Sequence, residues 1–547
     1  MPCNKDPSCR WALRMAGPHN ATCPQPLKTT CDPSTSAWDA LKWEDAGVEY
    51  NYEPLAELPA WRREELCGGF PVRVIRSEWL ALVRSPDTWW KYMARINTPR
   101  SAAAKRKCAA ELASFQPRVC SVDGVFLTSR HKRMRDRSGN VLLPAEMFQQ
   151  DQAHHTRRNS QGCFLSSKVV SCGGHGVLSL NDVNVGVAYF HTVYDVLAGL
   201  AFLLDFLRKH AADGVKLVEN VCIDAKGWRA GHRVSHSELM NCRGFQHPFS
   251  DHIAGFLDFL GLGPDSTLAS SGGAQKRRDY PVQHYPYGRQ AYGPSVYLDR
   301  ATFDCSTHSM VKIRHPHHVL KLRKLLHARF PVVLPSLRPS AVYNTSRTRL
   351  PTIVVINRMH CTGSLIRRGI DLVGGCAPER NVTAHPEIIK SLKRTFRETH
   401  KVIDFIGEKM GIAEQALLFR RAAAVIGPHG GSWSNMIFCQ PGASMIEFLA
   451  ARRRNVPTYM GYAHVFGLRW WAVFSQTDRY DGITAKDVQE TVLVALGDER
   501  AAKRGLAEHQ VMLNASFYSV GFGGCESEDD TGHECRSDID NSTRATW

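Results

Sequence analysis

The stretch Val425-Ile426-Gly427-Pro428-His429-Gly430-Gly431-Ser432-Trp433-Ser434-Asn435-Met436-Ile437-Phe438 reads as a buried strand, a glycine-bearing turn, and a helix opened by a Ser or Asn cap. In open α/β sheets, ligands bind outside the carboxyl ends of the strands, where such turns lie in chain order. The small residues Gly430 and Gly431 let the backbone approach a pyrophosphate, whose charge suits a helix N-terminus with its free N–H groups. His429 can hydrogen-bond a phosphate oxygen or a developing anion. A plainer reading also accounts for the turn: glycine supplies the backbone angles of a tight strand–helix connection.

The surrounding sequence alternates between strand and helix. Thr352 to Ile356 is a short run of β-branched residues, and residues 385–397 suit a helix with Pro386 in its first turn. Val402 to Ile406 reads as a second strand and Ala413 to Ala423 as a helix. Ala424 to Ile426 and Ser444 to Leu449 give two more strands. Alternation of this kind, with runs of Val and Ile, predicts an α/β fold with a doubly wound parallel sheet. His429-Gly430-Gly431-Ser432 also resembles the oxyanion strip of lipase-like hydrolases. That chemistry needs a downstream G-x-S-x-G elbow, which the sequence lacks, so hydrolysis of that type is excluded.

Working further outward, Val193 to Leu207 has the three-to-four spacing of a buried helix face. On an α-helix, His191 and Asp195 share one face about 6 Å apart. The pair reads either as a structural hydrogen bond or as a general base beside a cleft. Asn357-Arg358 ends the strand at 352–356, and Arg367-Arg368 follows. Arginines just past a strand end make phosphate clamps, because the guanidinium fork matches phosphate oxygens. Glu447 ends its strand where a carboxylate can hold ribose hydroxyls. His154-His155 and His315-Pro316-His317-His318 look metal-like in composition only and read as surface.

The chain has 547 residues, 43% hydrophobic and 22% charged, with 69 Lys and Arg against 52 Asp and Glu for a net charge of +17. This composition excludes a collagen-like or wholly disordered polymer and gives a surface that attracts anions. The basic stretch at 100–137 has few interleaved aromatics and reads as solvated surface rather than a nucleic-acid patch. Seventeen cysteines without a C-x-x-C pair, together with sequons at Asn20, Asn344, Asn381, Asn514 and Asn541, point to disulfides in an oxidising, lumenal compartment. Against that, the sequence shows neither an apolar leader nor an uninterrupted 18-residue apolar span.

From about 185 to 475 the chain resembles the family-61 glycosyltransferases, which include plant-type glycoprotein β-1,2-xylosyltransferases and O-linked N-acetylglucosaminyltransferases. The resemblance rests on Phe190-His191-Thr192-Val193-Tyr194-Asp195, Val355-Ile356-Asn357-Arg358 with Arg367-Arg368, and Glu414-Gln415-Ala416. It continues through Gly427 to Gly431 with Asn435, then Pro441-Gly442-Ala443 and Glu447. One departure is Gly431-Ser432-Trp433-Ser434, where the family usually has Ala-Gly-Leu followed by Thr or Ser. Bulky Trp433 is therefore expected to alter the donor pocket.

The resemblance implies a GT-B architecture, in which two Rossmann-like lobes face a cleft. It further implies inverting transfer of a sugar from a UDP-sugar, with UDP-xylose favoured, to a glycoprotein glycan or polysaccharide hydroxyl. Asp195 or His191 would take the acceptor proton. Arg358, Arg367, His429, Gly430, Gly431, Asn435 and Glu447 would bind the donor. No metal or other cofactor is required on this reading, no nucleic acid is a partner, and the site lies in the Golgi or endoplasmic reticulum lumen. The expected organisation is a Cys-rich irregular arm at 1–66, an acceptor-side lobe at 67–340, a nucleotide-sugar lobe at 341–500 and a tail at 501–547. Two alternatives stay open: transfer of N-acetylglucosamine to protein hydroxyls, and a non-catalytic protein that binds glycan or nucleic acid.

Overall fold

The computed structural model describes residues 47–51, 60–84, 102–114, 118–128, 134–135, 169–171, 174–178, 190, 192–210, 216–219, 256, 260, 282–284, 295–304, 316–333, 350–357, 382–407, 410–450, 458–475, 477 and 479–513. They form a mixed α/β structure with two sheets. The first contains β1 (Gly47–Asn51), β3 (Arg118–Thr128), β4 (Met134–Arg135), β5 (Val169–Ser171), β6 (His175–Leu178), β7 (Lys216–Glu219), β8 (Val282–His284) and β9 (Ser295–Asp304). Its order is β1-β3-β9-β6-β7-β8, with β4 on β3 and β5 on β9. The β1-β3-β9 side is antiparallel and the β9-β6-β7-β8 side parallel.

The second sheet contains β2 (Phe70–Val74), β10 (Thr352–Ile356), β11 (Lys401–Phe405), β12 (Ala422–Pro428), β13 (Ser444–Ala450), β14 (Arg469–Ser475) and β15 (His509–Leu513). Its order is β11-β10-β12-β13-β14-β2-β15, parallel throughout except for β15. All five residues of β10 and all seven of β13 are buried, as expected for strands covered on both faces. The four strands expected from sequence between 352 and 449 are therefore present, and β14, which the sequence reading passed over, extends them. Two further strands join from distant chain segments. β2 comes from near the N-terminus, and β15 lies within the expected tail. Helix α1 (Ala60–Cys67) is bound to α3 (Ala102–Ser114) by the Cys67–Cys108 disulfide, and α2 (Ser77–Arg84) packs on β15.

Helices cover both faces of the second sheet. α6 (His385–Thr395) has Pro386 in its first turn and Lys393 and Arg394 in its last, which suits its dipole. It packs against α9 (Ala485–Ala495) on one face. α7 (Ile412–Arg420), a 3-10 helix at Gly431–Phe438 and α8 (Thr458–Val465) follow the other crossovers. Glu414 accepts from the Gly411 backbone N–H at 3.0 Å and closes the start of α7. The short α10 (Glu499–Lys503) is capped by Asp498.

A central helical layer joins the two sheets. A π-helix at Thr192–Leu197 runs into α4 (Ala198–His210). α4 packs on β9 and on α5 (Pro316–Val333), and α5 packs on the 3-10 helix. Two expectations change here. The segment carrying Asp195 is π-helical, with i→i+5 bonding, where the sequence suggests an α-helix, and its expected partner His191 lies outside the described residues. His317 and His318, expected at the surface, are 3% and 0% exposed. Phe202 of α4 meets the His318 ring edge-on at 4.8 Å, and His317 Nε2 lies 3.3 Å from the Leu112 carbonyl on α3. α5 also runs through Pro331 to Val333, shortening the expected linker at 331–350.

Candidate functional site

Taking β10 as first, the parallel strands from β10 to β14 lie in the order 2-1-3-4-5. The chain passes from β10 to β11 on one side and then returns across β10 to β12. The crevice between the carboxyl ends of β10 and β12 is thus the switch point at which such sheets bind ligands. It is bordered by Asn357, at the end of β10, and by the Pro428-His429-Gly430 turn that ends β12. Gly427 keeps the two strands close: a Cβ there would meet Ile356 Cβ at 2.7 Å and the Ile356 carbonyl at 3.3 Å.

The turn is built differently from its sequence expectation. The 3-10 helix starts after Gly430, with no side-chain cap, and Ser434 and Asn435 lie buried inside it. Gly430 is extended, at φ 163° and ψ 173°, so the turn does not use the left-handed freedom of glycine there. Trp433 is fully buried and donates its indole N–H to the Pro428 carbonyl at 2.9 Å. Its bulk is taken up by the core and braces the turn. Asn435, also buried, donates to Gln415 Oε1 at 2.7 Å. Gln415 in turn donates to the carbonyls of Gly407 and Met410 at 3.0 and 2.9 Å. This chain ties the 3-10 helix to the start of α7.

His429 lies two residues beyond Gly427, which pairs in register with Glu447. Its Nδ1 is 2.6 Å from Glu447 Oε1, and Trp470 Nε1 donates to Glu447 Oε2 at 2.9 Å. Trp470 reaches Glu447 diagonally, since its register partner on β13 is Met445. Glu447 is 1% exposed, whereas the His429 side chain keeps 18% of its surface. Tyr459 packs on the His429 ring, with centroids 4.8 Å apart, and meets Phe190 edge-on at 5.3 Å.

A second imidazole–carboxylate pair flanks the crevice. His385 Nε2 is 2.9 Å from Asp404 Oδ1, and Asn357 donates to Asp404 Oδ2 at 3.2 Å. Sequence reading passed over His385 and Asp404, which stand on separate elements 19 residues apart. The helical layer behind the turn carries two perturbed groups. Burial, with Arg323 close by, lowers His327 to about 4, and burial pushes the Cys439 thiol up to about 12. His327 bonds the Ile437 carbonyl at 3.1 Å, and Arg323 donates to the carbonyls of Phe466 and Cys439.

His429, Gly430, Gly431, Asn435 and Glu447 are therefore brought together around one turn. Asp195 lies on the π-helix, whose Tyr194 donates to the Ser434 carbonyl at 3.0 Å. His191, Arg358, Arg367 and Arg368 fall outside the described residues, as do His154-His155 and the asparagines of the five sequons. Among the described residues, no three His, Cys, Asp or Glu side chains are grouped to hold a metal ion. Nor is any helix among them long and apolar enough to cross a membrane.

Residues 189–446 match the family model described as Glycosyltransferase 61. This stretch, just under half of the chain, is similar to the family-61 glycosyltransferases. This family-61 region opens just ahead of the π-helix and ends within β13, so it spans parts of both sheets and the helical layer between them. It includes Asp195, Arg358, Arg367, His429 and Asn435, while Glu447, Tyr459 and Trp470 lie beyond its end. Comparison with curated proteins gives no match.

Proposed function

We propose that this glycosyltransferase is an inverting enzyme of GT-B architecture, moving a sugar from a UDP-sugar, with UDP-xylose favoured, to a hydroxyl of a glycoprotein glycan or polysaccharide. The observation that carries the reading is the Pro428–Gly431 turn, standing at the β10/β12 switch point inside the family-61 region. A nucleoside diphosphate is the ligand for which small residues, an imidazole and arginines at the strand ends are chemically suited. In this account Arg358, Arg367, His429 and the Gly430-Gly431 backbone take up the charge that develops on the leaving diphosphate.

Asp195 or His191 receives the proton of the acceptor hydroxyl as that oxygen attacks the anomeric carbon from the face opposite the leaving group. Charge on the leaving group is balanced by cationic side chains and helix N–H groups, so no metal is required. Asn435 and Glu447 serve the donor from behind the turn, through the contacts they make. The Cys67–Cys108 disulfide, the seventeen cysteines and the sequons support work in the Golgi or endoplasmic reticulum lumen.

The test is a panel of UDP-sugars offered with glycan and peptide acceptors, with and without EDTA. The expected result is transfer from UDP-xylose to a glycan that persists in EDTA and disappears in Arg358→Ala and His429→Ala. Transfer from UDP-N-acetylglucosamine to a peptide hydroxyl instead would replace both the donor and the acceptor.

A further inference from the structure

Glu447 is nearly sealed from solvent, and each of its oxygens already has a partner: His429 Nδ1 on one and the Trp470 indole N–H on the other. A carboxylate that binds ribose must present its oxygens to the ligand. This one faces the neighbouring strand and an imidazole. An indole N–H only donates, so it fixes which way the carboxylate turns. A carboxylate bonded at Nδ1 fixes a histidine's tautomer and ring orientation and compensates a positive charge on the ring. Tyr459 holds the ring from a further side. Three strands and a helix thus contribute to one imidazole: His429 follows β12, Glu447 stands on β13, Trp470 on β14 and Tyr459 on α8.

From this geometry we infer that Glu447 and Trp470 are positioning residues that act on the reaction through His429 and not on the ribose. They keep the proton of His429 on Nδ1 and hold its ring toward the crevice. This rests on the reading that His429 serves the leaving diphosphate. The consequence is a split between kinetic constants: disturbing Glu447 lowers the catalytic step and leaves donor affinity largely in place. A ribose ligand would behave in the opposite way.

The experiment compares full-length wild type, Glu447→Gln, Trp470→Phe, His429→Ala and the double variant Glu447→Gln/His429→Ala. Steady-state kinetics are measured with varied UDP-sugar, alongside 15N spectra of histidine-labelled protein. Glu447→Gln is expected to lower kcat about 10²-fold with a small change in donor KM, and Trp470→Phe to lower it less. The double variant should be no slower than His429→Ala, because residues that act as a unit are not additive. A donor KM raised tenfold or more in Glu447→Gln, or a further loss in the double variant, would overturn the inference and return Glu447 to the ribose. If wild type transfers no sugar, the nucleotide-sugar reading fails, and the spectra still decide the positioning. The His429 Nδ1–H signal must be present in wild type and shifted in both Glu447→Gln and Trp470→Phe. An unshifted signal contradicts the inference. Trp470→Phe keeps an aromatic ring in the core and serves where Glu447→Gln does not fold.

Discussion

Tyr194 donates its hydroxyl to the carbonyl of Ser434 at 3.0 Å, across 240 residues of sequence. Its ring stacks on Tyr462 at 4.1 Å and packs against Phe190. The π-helix that carries Asp195 is thereby joined to the 3-10 helix that follows His429 and Gly430. At the far end of the same 3-10 helix, His327 and Arg323 bond the carbonyls of Ile437 and Cys439. Side chains of the helical layer thus hold the 3-10 helix by its carbonyls, those of Ile437 and Cys439 lying at its C-terminal end.

Tyr194→Phe keeps the stacking and removes only the hydroxyl. Losing one buried hydrogen bond costs about 1 kcal/mol, or a melting shift of roughly 1 °C when a chain of this length unfolds as one unit. The expected result is that modest shift together with a larger loss in kcat, measured by calorimetry and steady-state kinetics. A loss of stability with kcat unchanged would mean that the contact does not align the two helices for reaction.

Gly427→Ala places a Cβ 2.7 Å from Ile356 Cβ. Strands β10 and β12 must part, at a cost of about 1–3 kcal/mol. Shortening Ile356 to Ala gives no rescue, because the contact is with Cβ itself. Urea denaturation of the single and double variants checks this, and recovery in the double variant would contradict it.

Breaking the Cys67–Cys108 bridge opens a link across a sequence separation of 41 residues. Chain entropy alone puts the loss at about 4 kcal/mol. Cys108→Ser should therefore lower the urea midpoint strongly, and reductant should have no further effect through this bridge. Cys439, whose buried thiol is raised to about 12, should be alkylated only on unfolding. Peptide mass mapping after a brief pulse of reagent reads that directly.

His327 is lowered in the fold to about 4, chiefly by burial. Above the ordinary histidine value near 6.5, folded and unfolded chains are both neutral at this site, and its contribution to stability is complete. As pH falls from about 6.5 to about 4, the unfolded chain takes up the proton first, so stability is lost across that window. His327→Gln should flatten the pH dependence there, measured as the urea midpoint from pH 7 to pH 4. An unchanged slope would rule out His327 as its source.

Much of the second sheet is legible because Thr352–Ile356 is a run of β-branched residues and Ser444–Ala450 is mostly apolar, the pattern of strands buried on both faces. β2 is not, since Phe70–Val74 joins β14 in parallel across some four hundred residues, and no local pattern encodes such a pairing. His317 and His318 were misplaced although a signal existed. His318, Leu322, Leu326 and Phe330 are all buried at helical spacing along α5, and the period extends back to the histidine. The residues of the Pro428–Gly431 turn are identifiable from their types, but the His429–Glu447–Trp470 link arises across three strands and depends on register. The π-helix was hidden because the apolar spacing of Val193 to Leu207 suits an α-helix equally well.

The central claim is that the turn after β12 binds the diphosphate of a nucleotide-sugar, and titration calorimetry of UDP into wild type and His429→Ala tests it most directly. The account predicts binding to wild type and an affinity at least tenfold weaker in the variant, about 1.4 kcal/mol, with the fold intact by circular dichroism. Equal affinity in both proteins, or no binding of UDP to wild type, would contradict it.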